Sequence, residues 1–238
     1  MLPLRLNPAL DPAPFARTYA ANTFVQVPNL FEDDVADALE RALLAVSWRL
    51  LVQDEQRKNV LLTQDDLAKM STAERQALEA RIRETAAGNF GYTYYAYPLL
   101  EARNNGWDKG NPIHALVGFL NSAPFIAFAQ KIIDCPDVKL IDAHGSNYQR
   151  GHYLVRHVDE GARQERRAAY TIGFSRGWQA DWGGLLLFYD DKQDVTQGFV
   201  PRFNVLTVFD GMREHAVSSI APFAPRGRIS VAGWFRDR

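Results

Sequence analysis

Three consecutive apolar stretches near the end of the chain decide the fold: Asn204-Val-Leu-Thr-Val-Phe209, His215-Ala-Val-Ser218 and Arg228-Ile-Ser-Val-Ala-Gly-Trp-Phe235. Each is short, rich in β-branched or aromatic residues and bounded by turn-forming residues, which is typical of β-strands. Four more such stretches precede them, at Val138 to Ala143, Ser146 to Tyr148, Ala168 to Phe174 and Leu185 to Tyr189. Many short strands at close spacing predict a sandwich or barrel, including the jelly roll.

The part of the chain before these strands has a different pattern, which predicts helices. In the segment from Leu30 to Leu44, the acids Glu32 to Asp34 come first, and the apolar residues Val35, Leu39, Leu43 and Leu44 then recur at helical spacing. Ser71-Thr-Ala-Glu74 is a capping box that opens a helix running to about Ala87, where Gly88 and Asn89 end it. A third helix is predicted from His114 to about Ile133.

Length and composition favour one globular unit. A chain of 238 residues can bury the core of one large domain, so we expect a single domain in which residues 1–137 are a mainly helical support and residues 138–238 form the β core. The net charge of −1 gives no overall attraction to nucleic acid or to an anionic membrane. We therefore expect neither as a direct partner.

Cys135 is the only cysteine, which excludes an internal disulfide and a cysteine-based zinc cluster and suits a reducing compartment. The N-terminal residues lack the continuous apolar stretch of a signal peptide, and no later run approaches the roughly 20 apolar residues of a membrane span. These patterns predict a cytoplasmic location.

The triplet His157-Val-Asp159 is the first feature that indicates chemistry. On an extended segment, side chains two positions apart project to the same side, so an imidazole and a carboxylate can converge on one ion. Such triplets also arise by chance on surfaces, and this one alone is weak evidence. His215, which opens a later strand, adds a second imidazole. Two histidines and one carboxylate form the facial triad expected for Fe(II), with open positions for other ligands.

Arg228 is the fourth element of the predicted site. On a strand, Arg228, Ser230, Ala232 and Trp234 share one face, and the opposite face carries the apolar residues Ile229, Val231 and Phe235. Packing of the apolar face would turn Arg228 into the barrel, where a buried guanidinium needs an anionic partner. A dicarboxylate co-substrate would supply one.

These elements, in order, carry a family resemblance. The segments Tyr148-Gln-Arg-Gly-His-Tyr-Leu-Val-Arg-His-Val-Asp159, Gly183-Gly-Leu-Leu-Leu-Phe188, Asn204–Phe209, His215–Val217 and Arg228–Trp234 resemble prolyl 4-hydroxylase-type 2-oxoglutarate/iron(II) oxygenases. The resemblance covers about Val138 to Phe235. Within that superfamily the chain is most similar to the ribosomal-protein prolyl hydroxylases, which commonly use an arginine as the 2-oxoglutarate anchor.

The resemblance implies a double-stranded β-helix with His157, Asp159 and His215 on Fe(II). It also implies 2-oxoglutarate as co-substrate, anchored by Arg228 with a contact from Tyr148, O₂ as the oxidant and ascorbate as a candidate reductant. Arg226 competes for the anchor role, but it lies between Pro225 and Gly227 and is expected in a turn. Asp159 favours hydroxylation over halogenation, because a halogenating site needs the carboxylate position vacated for halide.

The function predicted from this resemblance is hydroxylation of a prolyl residue in a peptide or protein. One alternative is hydroxylation of a free amino acid or other small metabolite, which would need charge partners for a carboxylate and an ammonium group in the pocket. No such pair is identifiable in the sequence beyond the arginine assigned to the co-substrate. The alternative of another class is a non-catalytic metal-binding barrel that acts as an interaction module.

Several other polar or aromatic groups admit a structural interpretation first. His114, His144 and His152 are expected outside the metal shell, and Asp190 to Asp194 is expected to be a solvated turn, because it lacks the ligand spacing of a calcium loop. The remaining groups could be structural or could face the substrate: Arg163, Arg166 and Arg167, the aromatic segment from Phe90 to Tyr97, and Trp178 and Trp182.

Overall fold

The structure, a computed structural model, describes residues 4–88, 90–162 and 164–238. The helices in these ranges are α1 (Pro12–Asn22), α2 (Asp33–Leu44), α3 (Gln64–Lys69), α4 (Thr72–Gly88), α5 (Leu99–Asn104), α6 (His114–Leu120) and α7 (Ala123–Ile133). The strands are β1 (Phe24–Pro28), β2 (Arg49–Gln53), β3 (Asn59–Leu62), β4 (Tyr92–Pro98), β5 (Leu140–Ile141), β6 (His144–Tyr148), β7 (Tyr153–His157), β8 (Arg166–Gly173), β9 (Leu186–Tyr189), β10 (Val195–Phe199), β11 (Val205–Phe209), β12 (His215–Val217) and β13 (Arg228–Arg236).

These strands form a curled antiparallel sheet that folds back on itself. Its main path runs β1-β11-β8-β13-β6-β4-β7-β12-β9-β10, with β2 and β3 added beside β4 and β5 beside β13. The sheet has two walls. The smaller wall consists of β7, β12, β9 and β10, and the larger wall contains β1, β11, β8, β13 and β6. The strand β4 joins them, because its first residues pair with β7 and its later residues pair with β6. This is the predicted double-stranded β-helix, or jelly roll, and the fold prediction is confirmed.

The helices cover the outer face of the larger wall. Alternation along β13 is as predicted: Val231 and Phe235 are fully buried in the core that the helices share, whereas Arg228 and Trp234 line a cavity on the inner face. The helix α2 adds one apolar stripe to this core, formed by Val35, Ala36, Leu39, Ala42 and Leu43. The inner face, between the two walls, is thereby left to line the cavity with both polar and apolar side chains.

The N-terminal half also supplies strands that its helical pattern did not predict. The strand β1 extends the larger wall beside β11, and β2, β3 and β4 continue it at the other end. Their short apolar runs lie between strong helix signals, and their pairing partners are distant in sequence. The segment from Phe90 to Tyr97, which could be structural or could face the substrate, contributes β4, and this strand is not an edge strand because it pairs with β2, β6 and β7.

Of two helix predictions, the structure confirms the capping box at Ser71 and divides the helix predicted from His114. The capping box is present: Glu74 Oε2 accepts from the Ser71 amide at 2.7 Å, and Ser71 Oγ accepts from the Glu74 amide at 3.3 Å. Its helix ends at Gly88, and Asn89 lies outside the described residues. The prediction of one helix from His114 to Ile133 was wrong, since Asn121 ends α6 and Pro124 stands in the first turn of a new helix, a position that proline favours.

The two helices α6 and α7 meet at a bend of 58°. Together they have the length and composition of a membrane span, but among the described residues no single helix does. Asn121 fastens the bend to the sheet, because its side chain accepts from the Ile141 amide at 2.9 Å and donates to the Ile141 carbonyl at 2.7 Å.

The strands predicted to begin at Val138 and at Asn204 are shorter than expected, for local reasons. The stretch Val138 to Ala143 pairs only at Leu140 and Ile141. Asn204 stands outside β11 with a left-handed backbone (φ 56°), which asparagine tolerates better than most residues. Its side chain accepts from the Phe31 amide at 2.9 Å and donates to the Phe31 carbonyl at 2.8 Å, and so ties the sheet to the segment before α2.

Candidate active site

His157, Asp159 and His215 converge on the inner side of the smaller wall. His157 ends β7 and His215 begins β12, and the two residues are paired across these neighbouring strands. Asp159 follows in the turn after β7, with Oδ1 3.8 Å from His157 Nε2 and 3.9 Å from His215 Nε2. One ligand atom from each residue lies within 4.8 Å of the others, and the three are the only such metal-binding group among the described residues.

The hydrogen bonds of the two imidazoles leave the correct nitrogen free. His157 Nδ1 lies 2.9 Å from the Val155 carbonyl, and His215 Nδ1 lies 2.8 Å from the Arg213 carbonyl. A carbonyl only accepts, so each Nδ1 carries the hydrogen and each Nε2 presents a lone pair toward Asp159. Metal-bound histidines in proteins are commonly oriented in this way.

Burial keeps His215 neutral and leaves Asp159 in need of a cation. Burial, followed by repulsion from His157, lowers the pKa of His215 to about 4, so its imidazole is an uncharged ligand near neutral pH. Asp159 is 7% exposed, and its Oδ2 has no hydrogen-bond partner within the described residues. A buried carboxylate oxygen without a partner is costly unless a positive charge compensates it. The donor set therefore fits a divalent ion, and two imidazoles with one carboxylate suit Fe(II).

Gly211 holds the metal turn at close range, a role with no signal in its sequence. The Asp159 amide donates to the Gly211 carbonyl at 2.8 Å. A Cβ added at Gly211 would lie 2.8 Å from Asp159 Oδ2 and 3.0 Å from Asp159 Cβ, so either the carboxylate or the turn would have to move.

We expect Gly211→Ala to weaken Fe(II) binding about 10- to 100-fold, the usual cost of disturbing groups that orient metal ligands. Titration of the purified protein with Fe(II) under anaerobic conditions measures the effect. The matched control is Gly118→Ala in α6, where an added Cβ has no neighbour within 4 Å. Equal Fe(II) affinity in the two variants would contradict this role for Gly211.

A buried arginine lies further along the same cavity. Arg228 is 5% exposed, and its Nε and Nη1 have no hydrogen-bond partner within the described residues. Its guanidinium carbon lies 5.2 Å from the ring centre of Tyr148, which stacks on Tyr94 at 4.6 Å. Burial lowers the pKa of Arg228 from its ordinary value, an indication of how unfavourable an unpaired cation is there. An incoming carboxylate would satisfy it.

Arg226 has a different environment. It is exposed in the turn before β13, with its guanidinium carbon 5.7 Å from the ring centre of Trp182. It does not line the cavity, whereas both Arg228 and Tyr148 do.

The cavity has a volume of about 900 Å³ and connects these features. It is lined by Arg228 and Tyr148 and by His157, Asp159 and His215. The aromatic side chains of Phe90, Tyr92 and Tyr94 also line it and form the aromatic wall. The exposed residues Arg57, Arg156 and Glu160 and the half-buried Arg166 lie around its outer part. The cavity is large enough to hold a small co-substrate and part of a second molecule.

The other polar and aromatic residues considered in the sequence either lie away from the cavity or line it. The first group lies away from it. His114 lies 3.0 Å from the Tyr97 hydroxyl, and His152 Nδ1 accepts from the Gln149 amide at 3.1 Å, both outside the triad. Asp190 Oδ1 accepts from two amides of its own hairpin turn. Trp178 and Trp182 pack on each other beside Ile220 and are not cavity residues.

The second group faces the cavity. Arg166 and His144 line it, as do Phe90, Tyr92 and Tyr94 from the aromatic segment. Arg167 instead pairs with Asp237, and Arg163 lies outside the described residues.

Comparison with known proteins agrees with this geometry. A family model described as "2OG-Fe(II) oxygenase superfamily" matches residues 143–236. No curated protein matches the chain. Among solved structures, a Pseudomonas putida prolyl-4-hydroxylase is similar with a TM-score of 0.58 and 20% identity, covering 95% of this chain and 99% of that one.

Two further structures are similar at lower identity. A 2OG-Fe(II) oxygenase family oxidoreductase from Burkholderia pseudomallei has a TM-score of 0.62 and 11% identity, covering 98% of this chain and 94% of its own. A Trichoplax adhaerens prolyl hydroxylase, in complex with a hypoxia inducible factor peptide fragment, has a TM-score of 0.59 and 15% identity, covering 94% and 87%. At these identities the likeness establishes the fold. The segment that the family model matches, residues 143–236, contains His157, Asp159, His215, Tyr148 and Arg228.

Proposed function

We propose that the protein is a 2-oxoglutarate- and Fe(II)-dependent dioxygenase that hydroxylates a prolyl residue in a peptide or protein. The observation that carries the dioxygenase assignment is the presence of a three-ligand metal group and an unpaired buried arginine in one cavity. His157, Asp159 and His215 would hold Fe(II), and Arg228 and Tyr148 would hold the distal carboxylate of 2-oxoglutarate.

The bound cofactors supply the oxidation, in which O₂, 2-oxoglutarate and a substrate C–H give succinate, CO₂ and C–OH, one oxygen atom entering each organic product. The residues of this chain supply position and environment. The two Nδ1 hydrogen bonds fix the imidazole planes, and Arg228 orients the co-substrate by charge and by paired N–H donors. Phe90 and Phe209, whose rings lie 5.1 Å from His157 and 4.7 Å from His215, exclude water from the metal side.

Two observations support a prolyl residue in a polypeptide as the target. Prolyl hydroxylases are among the structures with this fold, and one of them was solved with a peptide fragment. The aromatic wall of Phe90, Tyr92 and Tyr94 also offers large rigid contact surface to an extended chain. The proposed anchor is an arginine, which supports the finer likeness to ribosomal-protein prolyl hydroxylases.

A free amino acid is the second candidate, and one observation favours it. The charge pair that such a substrate needs was not recognisable in the sequence, but Arg166 and Glu160 both line the cavity. They could receive a carboxylate and an ammonium group respectively.

The experiment that distinguishes the two substrates gives the protein Fe(II), 2-oxoglutarate and O₂, together with either free proline or proline-containing peptides. The peptides include ribosomal-protein sequences. Succinate release and the addition of one oxygen atom are followed by mass spectrometry. We expect coupled hydroxylation of at least one peptide. Efficient hydroxylation of free proline with no peptide turned over would refute the peptidyl target. Absence of succinate in every reaction, including slow release without substrate, would favour the non-catalytic barrel.

A further inference from the structure

The outer end of the cavity carries a second arginine that the proposed co-substrate does not use. The guanidinium carbon of Arg166 lies 3.7 Å from the ring centre of Trp234, a stacked cation–π arrangement. The ring centre of His144 lies 6.2 Å from that of the same indole. All three side chains line the cavity, and together they form what we call the outer wall.

The outer wall presents hydrogen-bond donors that lack acceptors. Arg166 Nη1 donates to the Glu160 carbonyl, but Arg166 Nε and Trp234 Nε1 are buried without a partner within the described residues. Guanidinium and indole nitrogens can only donate. The group that satisfies both must be an acceptor, and the charge of Arg166 selects an anionic one.

The surrounding charges point the same way. Arg57 and Arg156 lie around the opening, and Glu160 is the acid beside them. Arg156 is balanced by an ion pair with Glu214, but Arg57 has no ion pair within the described ranges. A cavity whose rim carries excess positive charge attracts anions and concentrates them near its entrance.

One molecule of 2-oxoglutarate is too short to extend along β13 from Arg228 to Trp234. Arg228 and Trp234 stand six residues apart on β13, which at about 3.3 Å per residue is a span of roughly 20 Å. A five-carbon dicarboxylate is far shorter. The outer wall is nevertheless close to the metal group, because Arg166 contacts the residue that directly follows Asp159. Its ligand therefore belongs to the molecule that is oxidised.

We propose that the outer wall binds a carboxylate of the primary substrate, with Arg166 as the charged partner and Trp234 Nε1–H as a second donor. The proposal deepens the dioxygenase function above and rests on it. Two sources share this chemistry: an aspartate or glutamate side chain next to the target proline in a peptide, and the α-carboxylate of a free amino acid. Arg166 and Trp234 are specificity-determining residues in this scheme.

The test compares matched acids and amides as ligands. Calorimetric titrations use the anaerobic Fe(II) protein saturated with 2-oxoglutarate, so that the Arg228 position is filled. One pair of peptides differs only by Asp or Asn beside proline, and the other pair is free proline and prolinamide. We expect the acid of one pair to bind about 10- to 100-fold more tightly than its amide, the usual effect of one charge-assisted pair. The pair that responds identifies the source of the carboxylate.

The variant Arg166→Gln should remove this preference and leave the affinity for 2-oxoglutarate unchanged. Trp234→Phe, which keeps the ring and deletes the donor, should reduce the preference in part. The matched control is Arg103→Gln on the exposed side of α5, which should behave as the wild type. Thermal unfolding of each variant establishes that it is folded.

Equal binding of acid and amide in both pairs, no binding of any of them, or a preference that survives Arg166→Gln would overturn the outer-wall proposal. These outcomes are independent of the dioxygenase function, because they are read from ligand binding. The dioxygenase function itself fails only if Fe(II), 2-oxoglutarate and O₂ yield no succinate.

Discussion

Replacing His215 with alanine is expected to abolish 2-oxoglutarate turnover and to weaken Fe(II) binding, because one of three proposed ligands is lost. The free nitrogen of His215 faces Asp159, and no other group among the described residues could take its place. Succinate formation and anaerobic Fe(II) titration measure the two effects. The only hydrogen bond of the His215 side chain among the described residues is to the Arg213 carbonyl, so the fold should survive.

The matched control is His114→Ala, which removes a histidine that contacts Tyr97 away from the triad. It should keep full turnover and wild-type Fe(II) affinity. Retained 2-oxoglutarate decarboxylation in His215→Ala would refute the proposed metal site. Circular dichroism and thermal unfolding of both variants separate loss of the ligand from loss of the fold.

Arg228→Ala is expected to raise the 2-oxoglutarate concentration needed for half-maximal turnover by one to two decades. The physical reason is loss of a charge-assisted pair at a buried position, which costs about 1.5–3 kcal/mol. Direct calorimetric titration of 2-oxoglutarate into the anaerobic Fe(II) protein gives the same quantity without turnover.

Arg226→Ala is the control, because Arg226 is an exposed arginine two residues away that does not line the cavity. Its affinity for 2-oxoglutarate should stay within about twofold of the wild type, as is usual for a surface substitution. If Arg226→Ala had the larger effect, the anchor would move to Arg226.

The elements that the sequence predicted well are those whose pattern is local. The alternation along Arg228–Phe235 correctly separated the cavity face of β13 from its core face, because a strand has a period of two. The capping box at Ser71 was visible because its two partners stand three residues apart. The convergence of His157, Asp159 and His215 was predictable because the first two stand two positions apart and the third opens another predicted strand, which pairs with β7.

The features that were not predicted depend on contacts between distant segments. The strand β1 exists because β11 pairs with it, about 180 residues later in the chain, and its own five residues carry little signal. The stacking of Arg166 on Trp234 and the close approach of Gly211 to Asp159 also join separate segments. One sequence without its three-dimensional contacts cannot distinguish such an arginine from a loop arginine.

The strand β13 carries Arg228 at its start and Trp234 near its end, and it is hydrogen-bonded on both sides, to β6 and to β8. Because it is paired on both sides, this strand keeps a fixed length and a fixed register. A slip of one residue in the pairing of β13 would turn both side chains to the helix-covered face at once. The distance between the two positions along the strand is therefore fixed. Substitution can therefore change the side chain at either end of the cavity without changing the distance between the two positions.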